Sequence, residues 1–105
     1  MKEHQIENIL KNYHLIKAEV EINPNSEDTE KAKEILKKTE LAVSRLPESI
    51  EQVIELLYFE RLTWIKTELE LHISQNTLNR YRKLGIKMIT DIFNGSNTRK
   101  LLNSI

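Results

Sequence analysis

The stretch LELHISQNTLNRYRK, residues 69–83, interrupts a helical apolar pattern with a histidine, a serine and an uncharged polar run. His72 stands where a first helix should end. That position often takes a left-handed backbone, which histidine tolerates better than most residues other than glycine. Ser74 suits the N-cap of a second helix, because its hydroxyl can accept a hydrogen bond from an amide in the next turn. The pattern therefore predicts a short helix over residues 64–71 and a long helix over residues 74–93.

The rest of the chain also shows helical patterns. Apolar residues step by three and four over residues 3–21, which is the spacing of one helical stripe. Pro24 and its polar neighbours break that stripe, and a second helix is predicted to run to about Arg45. Pro47 suits the first turn of a third helix, which should end near Phe59.

These elements predict an all-α fold. An N-terminal helical hairpin is assigned to residues 1–46 and a three-helix module to residues 47–94. Asn94 and Gly95 favour a helix end, so residues 95–105 are predicted to form a C-terminal tail. The long helix of the module is expected to bury Leu78, Tyr81, Leu84, Met88, Ile89 and Ile92.

The composition is that of a globular domain with one modest core. Of 105 residues, 39% are hydrophobic and 30% are charged, and there is no cysteine. No apolar run approaches the ~20 residues that span a bilayer, and the N-terminus lacks the apolar block of a signal peptide. We therefore expect a cytoplasmic protein without a membrane partner.

A net charge of zero hides an acidic half and a basic half. Residues 1–60 hold 8 Lys and Arg against 13 Asp and Glu, whereas residues 61–105 hold 8 against 3. The two segments therefore carry net charges of −5 and +5. A basic half raises the expectation of a polyanionic partner, although a dipolar surface without a function would show the same asymmetry.

The chain carries none of the patterns that predict an enzyme. It has no glycine-rich phosphate loop, no nucleophile elbow and no Ser/His/Asp arrangement. His4, His14 and His72 share no metal-ligand spacing with acidic residues. We expect no catalytic residues, no metal and no cofactor, and we expect Trp64 to serve in packing.

The exposed face of the helix that follows Ser74 suits nucleic-acid recognition. Its first two turns carry amide and guanidinium groups, whose donor and acceptor pairs match base edges in the major groove. Nearby Lys and Arg would hold phosphates. A solvated structural face accounts for the same pattern, so periodicity alone leaves both interpretations open.

Residues 46–89 combine a Leu-Pro start, an apolar helix ending in a Tyr-Phe pair, a Thr-capped short helix and an Ile-Ser turn before a basic helix. In this combination the stretch resembles region 4 of the bacterial sigma-70 family. His72 replaces the usual turn glycine. The matched positions are Leu46, Pro47, Leu56, Tyr58, Phe59, Thr63, Leu71, Ile73, Ser74, Thr77 and Leu78.

In size and layout the chain is similar to small phage and prophage transcription regulators of Gram-positive bacteria, the ArpU-like and RinA-like proteins. The resemblance implies binding to double-stranded DNA at promoters together with RNA polymerase, with the N-terminal helices packing on the module or forming a homodimer. By position, it implies that Gln75, Asn76, Asn79 and Arg80 contact bases. It implies backbone contacts for Thr63, Ser74, Thr77, Arg82 and Lys83.

Two alternatives remain at this stage. The first is a protein-interaction adaptor that binds polymerase or a host factor without DNA. The second is a small DNA-packaging protein like a terminase small subunit, which would assemble into a ring. The adaptor is motivated by the acidic first half and by the apolar seam at Ile6, Ile9, Tyr13, Ile16 and Val20.

Overall fold

Helices make up all the regular secondary structure in residues 1–104, the part of the chain that the computed structural model describes. This confirms the predicted all-α class. Within that part, no helix combines the length and the apolar character needed to cross a bilayer. In chain order the helices are α1 Glu3–Lys11, α2 Tyr13–Ile22, α3 Glu27–Ser44, α4 Glu48–Ile54 with a π-helical extension Glu55–Phe59, α5 Trp64–Leu71, α6 Gln75–Asn94 and α7 Ser96–Asn103.

The single N-terminal helix predicted over residues 3–21 is wrong, because the chain bends at Asn12. Asn12 has φ −103° and ψ 10°, outside the helical region, and it separates α1 from α2. Its side-chain amide donates to the carbonyl of Asn8 at 2.8 Å, a local bond that competes with regular helix geometry. The bend lets α1 pack on α6 while α2 packs along α3.

The third predicted helix reaches Phe59 as expected, but it changes type on the way. After Ile54 the backbone hydrogen bonds span five residues instead of four, as in the bond of 2.8 Å from the amide of Glu60 to the carbonyl of Glu55. Arg61 then takes a left-handed conformation with φ 56°, and the chain turns towards α5. The carbonyl of Phe59, at the C-terminal end of this helix, has no partner within the helix and bonds to His14 on α2.

One hydrophobic core joins the two halves of the chain. Its buried side chains come from α1, α3, α4 and α6 and from Leu46 between α3 and α4, so α1 and α3 pack directly on α6. Val53 and Leu78 are also fully buried. The core residues are Ile6, Leu10, Ala42, Val43, Leu46, Ile50, Ile54, Ile86 and Ile89.

The buried face of α6 is rotated relative to the prediction. Leu78 and Ile89 are buried as expected, but Leu84 and Ile92 are 39% and 41% exposed. Gly85 and Ile86 lie on the inner side instead. The reason is a close crossing of α4 over α6, because a Cβ on Gly85 would lie 2.9 Å from Cδ1 of Ile54. Glycine permits this approach, and the approach sets which residues face inward.

The segment predicted as a tail is helical up to Asn103. Gly95 ends α6 as expected, with φ 67°, and the chain continues directly into α7. The guanidinium of Arg99 donates to the carbonyl of Asn94, so the first turn of α7 is tied to the end of α6. The Asn94 side chain in turn bonds to the amino group and the carbonyl of Met1. Residue 105 of the predicted tail lies outside the described residues.

Candidate nucleic-acid interface

The turn between α5 and α6 has the backbone that its sequence predicts. His72 adopts a left-handed conformation with φ 55° and ψ 43°, and its amide donates to the carbonyl of Glu68. Ser74 is extended, and its Oγ accepts a hydrogen bond from the amide of Thr77 at 3.2 Å. The predicted turn residue and the predicted N-cap are both confirmed. These two local bonds fix the direction in which α6 leaves α5.

Two threonines organise the start of α5. The side chain of Thr63 accepts a hydrogen bond from the amide of Lys66 at 3.2 Å, which makes it the N-cap. Thr67 is fully buried, and its hydroxyl donates to the carbonyl of Thr63 at 2.9 Å. The side chain of Thr67 therefore faces the core while that of Thr63 stays exposed.

The first two turns of α6 present uncharged polar and basic side chains to solvent. Gln75, Asn76 and Arg80 are exposed, and Asn79 is half-buried. Leu78, on the opposite side of the same turns, is fully buried and anchors the helix. Of the four predicted base-contacting residues, three lie on an open face and Asn79 lies at its edge.

The predicted backbone-contacting residues divide into three groups by their exposure and contacts. Thr63, Ser74 and Lys83 are exposed near the start of α5 or along the first turns of α6. Thr77 is half-buried, and its hydroxyl accepts a hydrogen bond from Ser74 Oγ at 3.0 Å. Arg82 belongs with neither the exposed residues nor the cap, because its side chain turns towards α1.

Arg82 is held within the protein. Its side chain is only 17% exposed, and its Nη2 donates to Oδ1 of Asn79 at 3.1 Å. Nη1 lies 3.8 Å from a carboxylate oxygen of Glu7, and Cζ lies 5.7 Å from the ring centroid of Trp64. In the free protein these groups therefore surround the guanidinium, and the assignment of Arg82 to the phosphate backbone stays a prediction.

The charge distribution on α6 favours an anionic partner. The helix carries no carboxylate before Asp91, whereas Arg80 and Lys83 are exposed in its first half. The free amides at a helix N-terminus add a partial positive charge to the same end. Glu68 and Glu70 are the acidic residues of the preceding helix α5. The exposed formal charges along the first turns of α6 itself are therefore both positive.

Glu7 connects α1 electrostatically to this region. A hydrogen bond from Lys11, the Lys11 charge and the Arg82 charge together lower the pKa of Glu7, against the opposing effect of burial. The Lys11 ammonium lies 2.9 Å from Oε1 of Glu7. An ionised Glu7 is thus shared between a cation on its own helix and a cation on α6.

Sequence reasoning missed Glu7 and Trp64 as parts of this region. Together with Tyr58 and Arg82 they line a cleft of about 350 Å³ between the N-terminal helix and α6. The spacing of Glu7 and Lys11 predicts an ion pair within one helix, and that pair is present. No sequence pattern links Glu7 to Arg82, because the contact is made by packing between distant segments.

Two of the three histidines, His14 and His72, serve local structure. The imidazole of His14 bonds to the Phe59 carbonyl, and His72 forms the turn before α6. Among the side chains of residues 1–104, no three His, Asp or Glu groups come together where they could hold a metal ion.

The chain was compared with protein-family models, with curated proteins and with solved structures. None of the three comparisons found a significant match.

Proposed function

We propose that this protein is a transcription regulator of the phage or prophage type that binds duplex DNA through the first half of α6. The observation that carries the proposal is the open polar face formed by Gln75, Asn76 and Arg80, with Lys83 beside it. Amide and guanidinium groups pair with base edges, and the major groove is wide enough to admit an α-helix. In this proposal α5, the turn at His72 and α6 form a helix-turn-helix, which α4 completes as a three-helix module.

The resemblance of residues 46–89 to sigma-70 region 4 supports the same surface independently of its exposure. That family recognises a promoter element with the corresponding helix and contacts RNA polymerase. We therefore propose that the protein acts with RNA polymerase at promoters. The packing of α1 and α3 on α6 supports a scaffolding role for the N-terminal helices, because it restrains the helix that would enter the groove.

Phosphate contacts would position the helix on the duplex. Lys83 supplies a charge, and the exposed hydroxyls of Thr63 and Ser74 lie at the N-terminal ends of α5 and α6. Helix N-termini favour anions, so both ends suit a phosphate. Binding through such contacts becomes weaker as salt is added, because each counterion released from the DNA then enters a more concentrated solution and gains less entropy.

The test begins with selection of bound duplexes from a random pool, with and without RNA polymerase. The selected duplex and a random duplex are then titrated with wild type and with Asn76→Ala/Arg80→Ala at fixed salt. We expect the double variant to lose preference for the selected duplex more than it loses affinity for the random one, because base contacts specify and phosphate contacts position.

Lys37→Ala is the matched control, because it removes one exposed positive charge from α3 rather than α6. It should lower the affinity for both duplexes slightly and equally, through long-range electrostatics alone. If the double variant behaves like this control, the assignment of base contacts to Asn76 and Arg80 is wrong.

An adaptor that binds protein without DNA is the second candidate, and one observation favours it. Ile65 and Leu69 lie one turn apart on α5 and are 70% and 69% exposed. Apolar side chains at this spacing form an exposed stripe, which is a feature of protein-contacting surfaces. Recovery of polymerase by the protein, with no shift of any duplex at low salt, would favour the adaptor over the regulator.

A further inference from the structure

Arg82 joins three helices at the edge of the proposed DNA-binding face. From α6 it contacts Glu7 of α1 and the ring of Trp64 on α5, and it donates to Asn79 one turn earlier on its own helix. Its Nε is buried without an acceptor in the described part of the chain. A cation with this little exposure is poorly placed to reach a phosphate, yet it directly touches a predicted base-contacting residue.

The contact determines the orientation of the Asn79 amide. A guanidinium carries only donors, so the Asn79 atom that faces it must be the acceptor Oδ1 rather than Nδ2. With Oδ1 held 3.1 Å from Nη2 of Arg82, the amide group cannot flip without losing that bond. The Nδ2 group is then the part of Asn79 that remains available as a donor.

We propose that Arg82 is a positioning residue, which fixes Asn79 so that its Nδ2 donates to an acceptor on a base edge. The acceptors in the major groove are N7 of either purine, O6 of guanine and O4 of thymine. The inference rests on the proposed function, and it replaces the sequence-based assignment of Arg82 to a phosphate. Glu7 and Trp64 hold the guanidinium in place, so α1 contributes to base readout without touching DNA.

Glu7 is the feature that sets this arrangement apart from an ordinary exposed arginine. Its Oε1 lies 3.8 Å from Nη1 of Arg82, while Lys11 holds the same oxygen at 2.9 Å. The longer distance indicates electrostatic attraction rather than a direct hydrogen bond. Arg82 is therefore retained by a combination of this attraction, the bond to Asn79 and the face of the Trp64 ring.

The experiment is a double-mutant cycle on base preference. Wild type, Asn79→Ala, Arg82→Met and the double variant are titrated with the selected duplex and with its single-base-pair substitutions. Asn79→Ala identifies the base pair that Asn79 reads. Arg82→Met should relax the preference at that same base pair by about 3- to 10-fold, the effect of one hydrogen bond, and the double variant should relax it no further than Asn79→Ala does.

Two further variants keep the test independent of folding. Arg82→Lys retains the charge but lacks the planar guanidinium. It should therefore reduce the preference at the same base pair more than it lowers the affinity for a random duplex. Glu7→Gln should reduce the preference at that base pair by a smaller factor. It weakens the electrostatic attraction that holds Arg82, and it does so from α1, which lies outside the proposed DNA-binding face. Thermal unfolding of each variant establishes that it is folded at the assay temperature.

The outcomes separate the two proposals. If wild type prefers one duplex but Arg82→Met lowers affinity equally for all duplexes, with a reduced dependence on salt, then Arg82 is a phosphate contact and the positioning role is overturned. If wild type shows no preference among duplexes, the proposed function itself fails, and the readout role fails with it. Relaxation of a different base pair from the one identified by Asn79→Ala also overturns the positioning role.

Discussion

Nε2 of His14 lies 2.6 Å from the carbonyl oxygen of Phe59, the last residue of the π-helical extension of α4. A carbonyl oxygen only accepts hydrogen bonds, so Nε2 carries the hydrogen in this contact. The neighbouring ring of Tyr13 lies 4.4 Å from the ring of Phe59, centroid to centroid. Together these contacts attach α2 to the segment that leads into α5.

We expect His14→Ala to lower the free energy of unfolding by about 1 kcal/mol, because it leaves a half-buried carbonyl without its donor. Urea unfolding followed by circular dichroism measures the change. His4→Ala is the control, since His4 is exposed on α1 and should change stability little. Equal stability of the two variants would mean that the bond to Phe59 contributes nothing.

Gly85→Ala should destabilise the protein by about 1–2 kcal/mol, because overlap with α4 outweighs the higher helix propensity of alanine. The new Cβ would lie 2.9 Å from both Cγ1 and Cδ1 of Ile54. Adding Ile54→Val, which removes Cδ1, should recover part of the loss. Gly95→Ala is the control. Its Cβ would lie in open space, and its cost would come from φ 67°, so Ile54→Val should not rescue it. Rescue of both variants alike would contradict the overlap.

His72→Gly should raise the free energy of unfolding by up to about 1 kcal/mol, because φ 55° strains a residue that has a Cβ. His72→Val should lower it, since β-branched residues tolerate this region least. The opposite signs at one position are the internal control, and chemical denaturation measures both. If both variants lower stability alike, contacts of the imidazole rather than the backbone conformation determine the choice of residue.

Ser74 allows folding and DNA binding to be separated. Ser74→Ala should lower stability by about 1 kcal/mol through loss of the cap, and Ser74→Asp should restore it, because aspartate caps as well as serine. The added charge of Ser74→Asp should nevertheless weaken DNA binding by roughly fivefold, from a repulsion of about 1 kcal/mol beside a phosphate. Ser26→Asp adds the same charge at the N-cap of α3 and should leave DNA affinity nearly unchanged. An undiminished affinity of Ser74→Asp would exclude this end of α6 from the interface.

Glu55→Gln should stabilise the protein at neutral pH. Burial, followed by the nearby carboxylates Glu51 and Glu60, raises the pKa of Glu55 above the usual 4.5. Because the pKa of Glu55 is higher in the folded than in the unfolded protein, protonation of Glu55 stabilises the fold. This stabilisation is fully present below the unfolded pKa and is lost as the pH rises through the folded pKa. The gain from Glu55→Gln should therefore shrink when urea unfolding is repeated near pH 4. Glu19→Gln, at an exposed position on α2, is the control. A gain for Glu55→Gln that is the same at both pH values would contradict the raised pKa.

Local chemistry was sufficient to predict the best-defined elements. Ser74 and Gly95 mark the ends of α6, and Thr63 marks the start of α5, because capping bonds form between residues close in sequence. The bend at Asn12 was missed because a single asparagine inside a strong apolar stripe is compatible with a continuous helix. The bend becomes necessary only when α1 and α2 pack on different helices.

For the candidate surface, too, some features could be predicted from the sequence and others could not. The exposure of Gln75, Asn76 and Arg80 follows from the period of one capped helix with Leu78 buried opposite them. The same period places Arg82 on the side of Leu78 and Ile86, four residues away in either direction, so its inward position follows from the sequence. Its partner Glu7 does not, because that residue lies on another helix. A sequence pattern predicts which side of a helix a residue occupies, but it does not predict which charged residue of a distant segment will lie beside it.

The sequence by itself thus determined the helical class, the turn at His72 and the polar first turns of α6, since these depend on backbone conformation and on hydrogen bonds within a few residues. Only the tertiary structure decided the inward rotation of Gly85 and the capture of Arg82 by α1. Both depend on how closely separate helices approach, which is set by side-chain packing across the whole core rather than by any local pattern.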